Sequence, residues 1–403
     1  MSERIEPSSE RSARVSTTFY AFFPGGGIGK YSHEVLKTLC RDHGEELDLE
    51  LVCLPEFAWL SEARYPTRPL LFSIGHRWPP VRKLRFLLAQ VINPLRLARR
   101  ARASRPDWIH FCNINPLTYP LWARAMHRTG AKWAATVHDV RRAKGILHLG
   151  WELKQLAKFY RDCDALFVHS SEQADDLVAF AQVDRGRVHT VAHGPYAFEE
   201  DRSLAGLDAP ALRRRYGLRD DLRLALFYGF VRDEKQLDVL LDALALGAHR
   251  WQLLVAGSAG AKGHKPIRYY ADKIDALGLS DRVRLDARFV PDEETPALFR
   301  MADCLVLPYS TRFSSQSGVM NIAASYDTPV MATPCPSFRE LLAACPIGHV
   351  CDGDDAASIR RGMEQLGAML DAGTRFDFEG YRVAYGWEKN AAVTLAAYRS
   401  EAP

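Results

Sequence analysis

No two cysteines in this sequence stand at the C-x-x-C spacing of a zinc or redox site. The eight are Cys40, Cys53, Cys112, Cys163, Cys304, Cys335, Cys345 and Cys351, and most sit among apolar residues, as in DCLVLP. There a free cysteine acts as a small hydrophobe. The pattern reads as reduced thiols in a cytoplasmic protein and gives no metal site. No apolar run reaches the length of a membrane-spanning helix. MSERIEPSSERSARV lacks the apolar core of a signal peptide, and residues 1–13 read as a disordered tail. A charge excess is missing too: 53 basic residues against 49 acidic ones leave +4, which does not argue for nucleic acid. Finally, residues 313–332, FSSQSGVMNIAASYDTPVMA, contain no glutamate, and their only carboxylate, Asp327, falls in the turn after a helix.

What is present is a large apolar fraction, 47% against 25% charged, in a chain of 403 residues, comfortable for two domains. Short apolar runs alternate with helical patterns. VSTTFYAFF, LELVCL, PLLFSI, DWIHF, KWAATV, DALFVH and RVHTVA read as strands of a first half. RLALFYGF, WQLLVAG, RVRLDARFV, DCLVLPY and PVMAT read as strands of a second. Helical patterns such as YSHEVLKTLC, SEQADDLVAFA and YYADKIDALG lie between them. This alternation predicts an α/β protein of two Rossmann-like, doubly wound domains with parallel sheets. The turn-rich, charged segment HGPYAFEEDRSLAGLDAPALRRRYG separates them. The boundaries expected are 14–200, 201–378, and a C-terminal helix within 379–403 led by Trp387. Ligands of open α/β sheets bind at the carboxyl ends of the strands, so a cleft between two such lobes is the expected site.

Three loops qualify. FFPGGGIGKYSHEVL is a strand-to-helix turn in which Gly25, Gly26, Gly27 and Gly29 let backbone approach a ligand. It is neither a G-x-G-x-x-G fingerprint in register nor a Walker A loop, since Ser32 does not directly follow Lys30. The plain alternative is a tight turn, but three consecutive glycines exceed what a turn needs. LFYGFVRDEKQLDVL ends a strand at Gly229 and carries Arg232 and Lys235 to a helix N-terminus. A guanidinium fork and an ammonium there suit phosphate oxygens; the alternative is a solvated turn neutralised by Asp233 and Glu234. In the third loop, Ser314, Ser315, Gln316, Ser317 and Gly318 precede a helix. One serine would cap it; the run offers a nest for a diphosphate.

GGGIGKY, TVHD, GFVRDEK, VAGS, FVPDEETPALFRMADCLVLPY and QSGV…TPVMAT follow one another in this order. The chain resembles the retaining glycosyltransferases of family 4, which have the GT-B fold, from about Phe19 to Tyr398. The resemblance implies a nucleotide-diphospho-sugar donor held mainly by the C-terminal domain, no cofactor and no metal. It implies that Arg232 and Lys235 meet the diphosphate and that the amides of Ser317, Gly318 and Val319 bind phosphate. His138 matches a histidine beside the donor sugar, and the final helix crosses back to the N-terminal domain. The candidate catalytic residues are thus His138, Arg232 and Lys235. The candidate donor-binding residues are Gly26, Gly27, Gly29, Gly229, Val290, Gln316, Ser317, Gly318 and Val319. Read from the residues alone, His138 is equally a structural strand-end histidine beside Asp139; His110 and His193 are expected to be structural. Many family members carry two glutamates separated by seven residues in the third loop. Here Ser314 and Ile322 occupy those places, as in a branch whose loop reads QSGV.

GHRWPPVRKLRFLLAQVINPLRLARRARASRP, within 75–105, mixes basic with apolar residues and almost no acid interrupts it. Two readings stand: a helix on an anionic membrane surface, and a surface helix packed on the first sheet with solvated arginines. The functional expectation is a hexosyltransferase of bacterial polysaccharide or glycolipid assembly with a glycan or lipid-linked acceptor, cytoplasmic or peripheral on the inner face of the membrane. A catalytically silent GT-B module binding a nucleotide sugar or a protein partner is the rival.

Overall fold

The computed structural model describes residues 14–141, 145–146, 148–259, 264–313 and 317–400. The expected tail at 1–13 and the loop residues Ser314, Ser315 and Gln316 lie outside the described residues. The chain divides into two compact units: one takes in the chain to Ala192 and again from Trp387, the other is His193–Gly386.

The first unit holds β1 (Val15–Ala21), β2 (Leu47–Cys53), β3 (Thr67–Arg68), β4 (Trp108–Phe111), β5 (Lys132–Thr136), β6 (Ala165–Val168) and β7 (Val188–Thr190). They form one parallel sheet in the order β3-β2-β1-β4-β5-β6-β7. The second unit holds β8 (Arg223–Tyr228), β9 (Trp251–Ala256), β10 (Val283–Asp286), β11 (Cys304–Leu307), β12 (Val330–Ala332) and β13 (Gly348–Val350). Their parallel order is β10-β9-β8-β11-β12-β13. Each sheet therefore winds outward from its first strand, then reverses, with switch points between β1 and β4 and between β8 and β11. This is the GT-B arrangement of two Rossmann-like domains. The strands are short apolar runs because helices cover both faces; β4 and β9 are buried at every position.

The core of the first unit is aromatic. Phe111, Trp122, Trp133 and Phe159 interlock with ring centroids 5.1–6.4 Å apart, edge-on or tilted except for the stacked Trp133–Phe159 pair. Such quadrupole-matched contacts add to burial. His110 lies inside the sheet, stacked on Phe19 and Phe167, with Nε2 on Thr136 Oγ1 at 2.8 Å and Nδ1 on Tyr398 Oη. It is structural, as expected, and it anchors the last helix.

Three expectations are corrected. PLLFSI forms no strand; β3 stops at Arg68, because Pro69 has no N–H to extend the ladder. Asn93 takes the polar groups of Phe72 instead, receiving its N–H at 2.5 Å. GHV at 348–350, unread in the sequence, pairs with β12. The unit boundary falls at Ala192/His193 rather than 200/201, since Tyr196 and His193 pack on Gly318 and Phe198 N–H donates to Tyr326. Likewise Phe378–Ala384 stays in the second unit through Tyr381–Asn321 and Arg382–Asp327, and the helix that joins the first unit is Trp387–Ser400.

Burial holds His110 neutral, its pKa pushed down to about 3. In the unfolded chain a histidine titrates near 6.5. Between these values the unfolded state binds a proton that the native state does not, so stability present above pH 6.5 is lost as pH falls. Urea unfolding followed by tryptophan fluorescence should show a fall of about 1.4 kcal/mol per pH unit below 6.5 for such a histidine. His110→Gln should remove that share of the slope.

Candidate functional site

In the second unit the switch point collects the expected cations. β8 ends at Tyr228 and the chain turns at Gly229, whose φ of +92° lies in the left-handed region. A Cβ there would stand 3.5 Å from Lys235 Nζ and 3.7 Å from Val319. The ammonium group also lies 5.2 Å from the ring centre of Tyr309, just past β11. Lys235 thus lies between the turn that ends β8 and Tyr309 after β11. Lys235 forms no ion pair among the described residues, whereas Arg232 lies 3.6 Å from Glu234 and is half-exposed. Asp233 accepts from Lys265 N–H at 2.9 Å, and His264 stands 3.8 Å from both acids. The loop's acids therefore face its own outer partners and leave Lys235 unneutralised.

Ser317 is the buried residue before Gly318, and its hydroxyl makes no capping bond; Tyr309 Oη approaches it at 3.4 Å. The first-turn amides of a helix have no intrahelical acceptor. His193 and Tyr196, bonded to each other at 2.7 Å, lie within 4 Å of a Cβ built at Gly318. The sequence gives His193 a structural expectation; that its loop, 125 residues away, returns to the helix start is invisible to local pattern. Gln316 lies outside the described residues. Val290 is buried past the end of β10. Ile322, in a position where a family glutamate is common, is a buried core residue.

In the first unit the glycine run is itself helical: Gly26–His43 is one helix with Gly25 before it. Gly26 has φ +75°, and a Cβ at Gly26 or Gly27 would meet nothing within 4 Å. Gly29 differs, since a Cβ would come 2.6 Å from the Trp59 ring; packing requires that glycine. His138 follows β5 by two residues. Its Nδ1 lies 3.2 Å from Nε2 of His169, which follows β6, and its carbonyl accepts from Gln173 Nε2. Gln173 also accepts the His169 N–H, so one side chain braces both histidines. Burial and the neighbouring His138 push His169 down to about 3. It is thus neutral, offering one ring nitrogen as donor or acceptor. Tyr31 packs edge-on against both rings, 4.8 and 5.1 Å away, and accepts from Asn390 of the last helix at 2.7 Å. Sequence reading missed His169, Gln173 and Tyr31. Only the S-S-E-Q start of the helix Ser171–Ala181, capped by Ser170, signalled that segment.

Residues 25–194 match the family model Glycosyltransferase Family 4, and residues 223–368 match Glycosyl transferases group 1, together about three quarters of the chain. The chain thus carries two glycosyltransferase family domains in succession. The first match covers most of the first unit and ends two residues into the second, within which the other match lies. Among the relatives of this chain, a D-inositol 3-phosphate glycosyltransferase of Streptomyces avermitilis is 30% identical over 58% of this chain and 51% of its own. A second, of Catenulispora acidiphila, is 28% identical over 68% and 66%. The chain spans about half the length of most curated relatives it matches. In fold it is similar to Anabaena HepE in complex with UDP-glucose (TM-score 0.70, 13% identity, 96% of this chain and 99% of that). It is also similar to WaaG, a glycosyltransferase involved in lipopolysaccharide biosynthesis (TM-score 0.60, 16% identity, 96% and 100%).

The two glycine turns are expected to respond oppositely to a methyl group. Gly229→Ala forces a left-handed residue against Lys235 and should cost about 1–2 kcal/mol in urea unfolding. Gly27→Ala, in open space on a helix, should leave stability unchanged or raise it by up to about 1 kcal/mol.

Proposed function

We propose that this glycosyltransferase moves a hexosyl group from a nucleotide-diphosphate sugar to an acceptor hydroxyl with retention of anomeric configuration, independently of metal, in bacterial polysaccharide or glycolipid assembly. The observation that carries this reading is Lys235, an ammonium with no ion pair among the described residues, at the β8/β11 switch point close to Gly229 and Tyr309. Donor departure puts negative charge on a diphosphate. Fixed positive charge and N–H donors at that place lower the barrier. In this mechanism Lys235, Arg232 and the amides of Gly318 and Val319 receive the leaving diphosphate. Gly26 and Gly27 allow close backbone approach, and His138, held by His169 and Gln173, serves the transferred sugar. The bond from C1 to the diphosphate oxygen breaks while the acceptor oxygen bonds C1 on the same face. The acceptor proton passes to the departing phosphate oxygen. No protein carboxylate takes part, which fits Ile322 as a core residue.

Uridine nucleotides are the first donors to test, because structural neighbours were solved with UDP and UDP-glucose. UDP should raise the melting temperature of the full chain, in line with its affinity. Arg232→Ala and Lys235→Ala should each lower turnover with the true donor by about 100- to 1,000-fold. Normal turnover in Arg232→Ala would end the proposal.

We also propose that the helix Pro79–Ser104 rests on an anionic membrane surface, on the inner face of the cytoplasmic membrane. Its buried side includes Ala89, Asn93, Leu97 and Ala101. Leu84, Leu88 and Leu95 fall within about 40° of one another at the opposite pole, and are 57%, 46% and 40% exposed. Trp78, just before the helix, is 62% exposed. The helix carries no acid. Apolar side chains at a solvent pole, flanked by arginine and lysine, suit an interface of acyl chains and anionic headgroups. Among the described residues no helix is long and apolar enough to cross a membrane. Sedimentation with vesicles containing phosphatidylglycerol should carry the protein down, vesicles of phosphatidylcholine alone much less, and Leu84→Ser/Leu88→Ser should weaken the binding at least about tenfold.

A further inference from the structure

Sheet register brings two imidazoles of the first unit side by side. β5 and β6 pair with Thr136 opposite Phe167. Two residues further on, His138 and His169 therefore stand at one level, and side chains two apart share a face. Val137 N–H still donates to Phe167 O at 2.7 Å, so the two chains stay together past the strand ends. The rings meet through one contact, His138 Nδ1 to His169 Nε2, 3.2 Å. With His169 neutral, that contact holds a single proton, on one nitrogen or the other.

The far side of His169 decides which. In the pairing of β6 with β7, Val168 lies opposite Thr190, which sets Val191 beside His169. The Val191 backbone bonds to the His169 ring in the sense that favours its N–H, as an accepting carbonyl does. A neutral imidazole has one N–H to give. Because Nε2 faces His138, the N–H toward Val191 is on Nδ1, and Nε2 keeps a lone pair. His138 then donates from its own Nδ1. The surrounding packing holds this arrangement in place. Gln173 accepts the His169 N–H at 2.9 Å and donates to His138 O at 3.1 Å. Tyr31, buried and bonded to Asn390 at 2.7 Å, lies edge-on to both rings.

We propose that His169 is a positioning residue that holds His138 in its Nδ1–H form, so that Nε2 of His138 presents a lone pair to a hydroxyl of the transferred sugar. The hydrogen bond made by one ring nitrogen sets the state of the other. A lone pair at that place accepts from an O–H, so the sugar is selected for a hydroxyl there. The role toward the sugar rests on the sugar-transfer reading above; the tautomer is a property of the chain alone.

The test is nitrogen NMR of the full chain carrying ring-labelled histidine, at about pH 8, where an ordinary imidazole is neutral. The signals of His138 are those lost in His138→Gln. Wild type is compared with His169→Gln and His169→Phe, whose folding is checked by thermal unfolding. Glutamine puts an amide oxygen near the Nε2 position, where it accepts in the same way; phenylalanine keeps a ring and offers no acceptor. His138 is expected to show a protonated Nδ1 and a bare Nε2 in wild type and in His169→Gln, and a mixture of both tautomers in His169→Phe. For the donor that the chain turns over, kcat/KM should fall about tenfold in His169→Phe and return to within about threefold of wild type in His169→Gln, as for one hydrogen bond lost and regained. The proposal is overturned if wild-type His138 carries its proton on Nε2, a result that the wild-type spectrum alone decides should His169→Phe fail to fold. It is overturned equally if His169→Phe leaves the tautomer or the turnover unchanged. A chain that shows the expected tautomers and consumes no nucleotide sugar upholds the pairing of the two rings and sinks the sugar-transfer reading.

Discussion

Parallel pairing constrains everything else in this protein. A strand that runs beside its neighbour in the same direction must be reached by a crossover, so every strand-to-helix loop emerges at the same edge of its sheet. In each unit the winding reverses after the third strand, returning to the other side of the first, and the loops on either side of that switch point cannot close over one another. The crevice in the second unit holds Gly229 after β8 and Tyr309 after β11, with Lys235 across it. The position of Lys235 is therefore set by topology.

Charge at these loops is managed by giving each acid a partner other than the lysine. Asp233 and Glu234 stand beside Lys235 in sequence, yet Asp233 turns to the backbone of Lys265, and Glu234 lies near Arg232 and His264. The first unit uses neutral rings instead. Burial keeps His169 uncharged, and Gln173 fixes it and His138 through backbone groups of both. Tyr31 lies against the two rings and is itself held by Asn390, so the last helix of the chain is bonded to the neighbourhood of His138.

The helix Pro79–Ser104 carries two demands at once. Its inner side must cover the sheet, and small or apolar residues there satisfy this. Its outer side is under no such demand, yet it carries leucines among arginines. At its start, Arg82 and Lys83 border a cleft that the inner packing does not fill.

The fold was legible because its signal is local. Apolar runs such as WQLLVA, alternating with helical periods, state that strands are buried on both faces, and only parallel sheets under helices satisfy that in bulk. PLLFSI misled because its apolar residues pass for a strand, while Pro69 withholds the N–H a ladder needs. The glycine turns and the Arg232–Lys235 loop were also readable, since φ above zero and charge at a helix start leave residue-type marks. By itself, then, the sequence determined two doubly wound units and where their glycine-rich and cationic loops fall. Tertiary structure alone decided which histidine holds which, that His193 returns to Gly318, and that Glu56 shares a cleft with Arg82 and Lys83. Those contacts join residues far apart in the chain, and they are set by how crossovers pack rather than by any neighbour in the sequence.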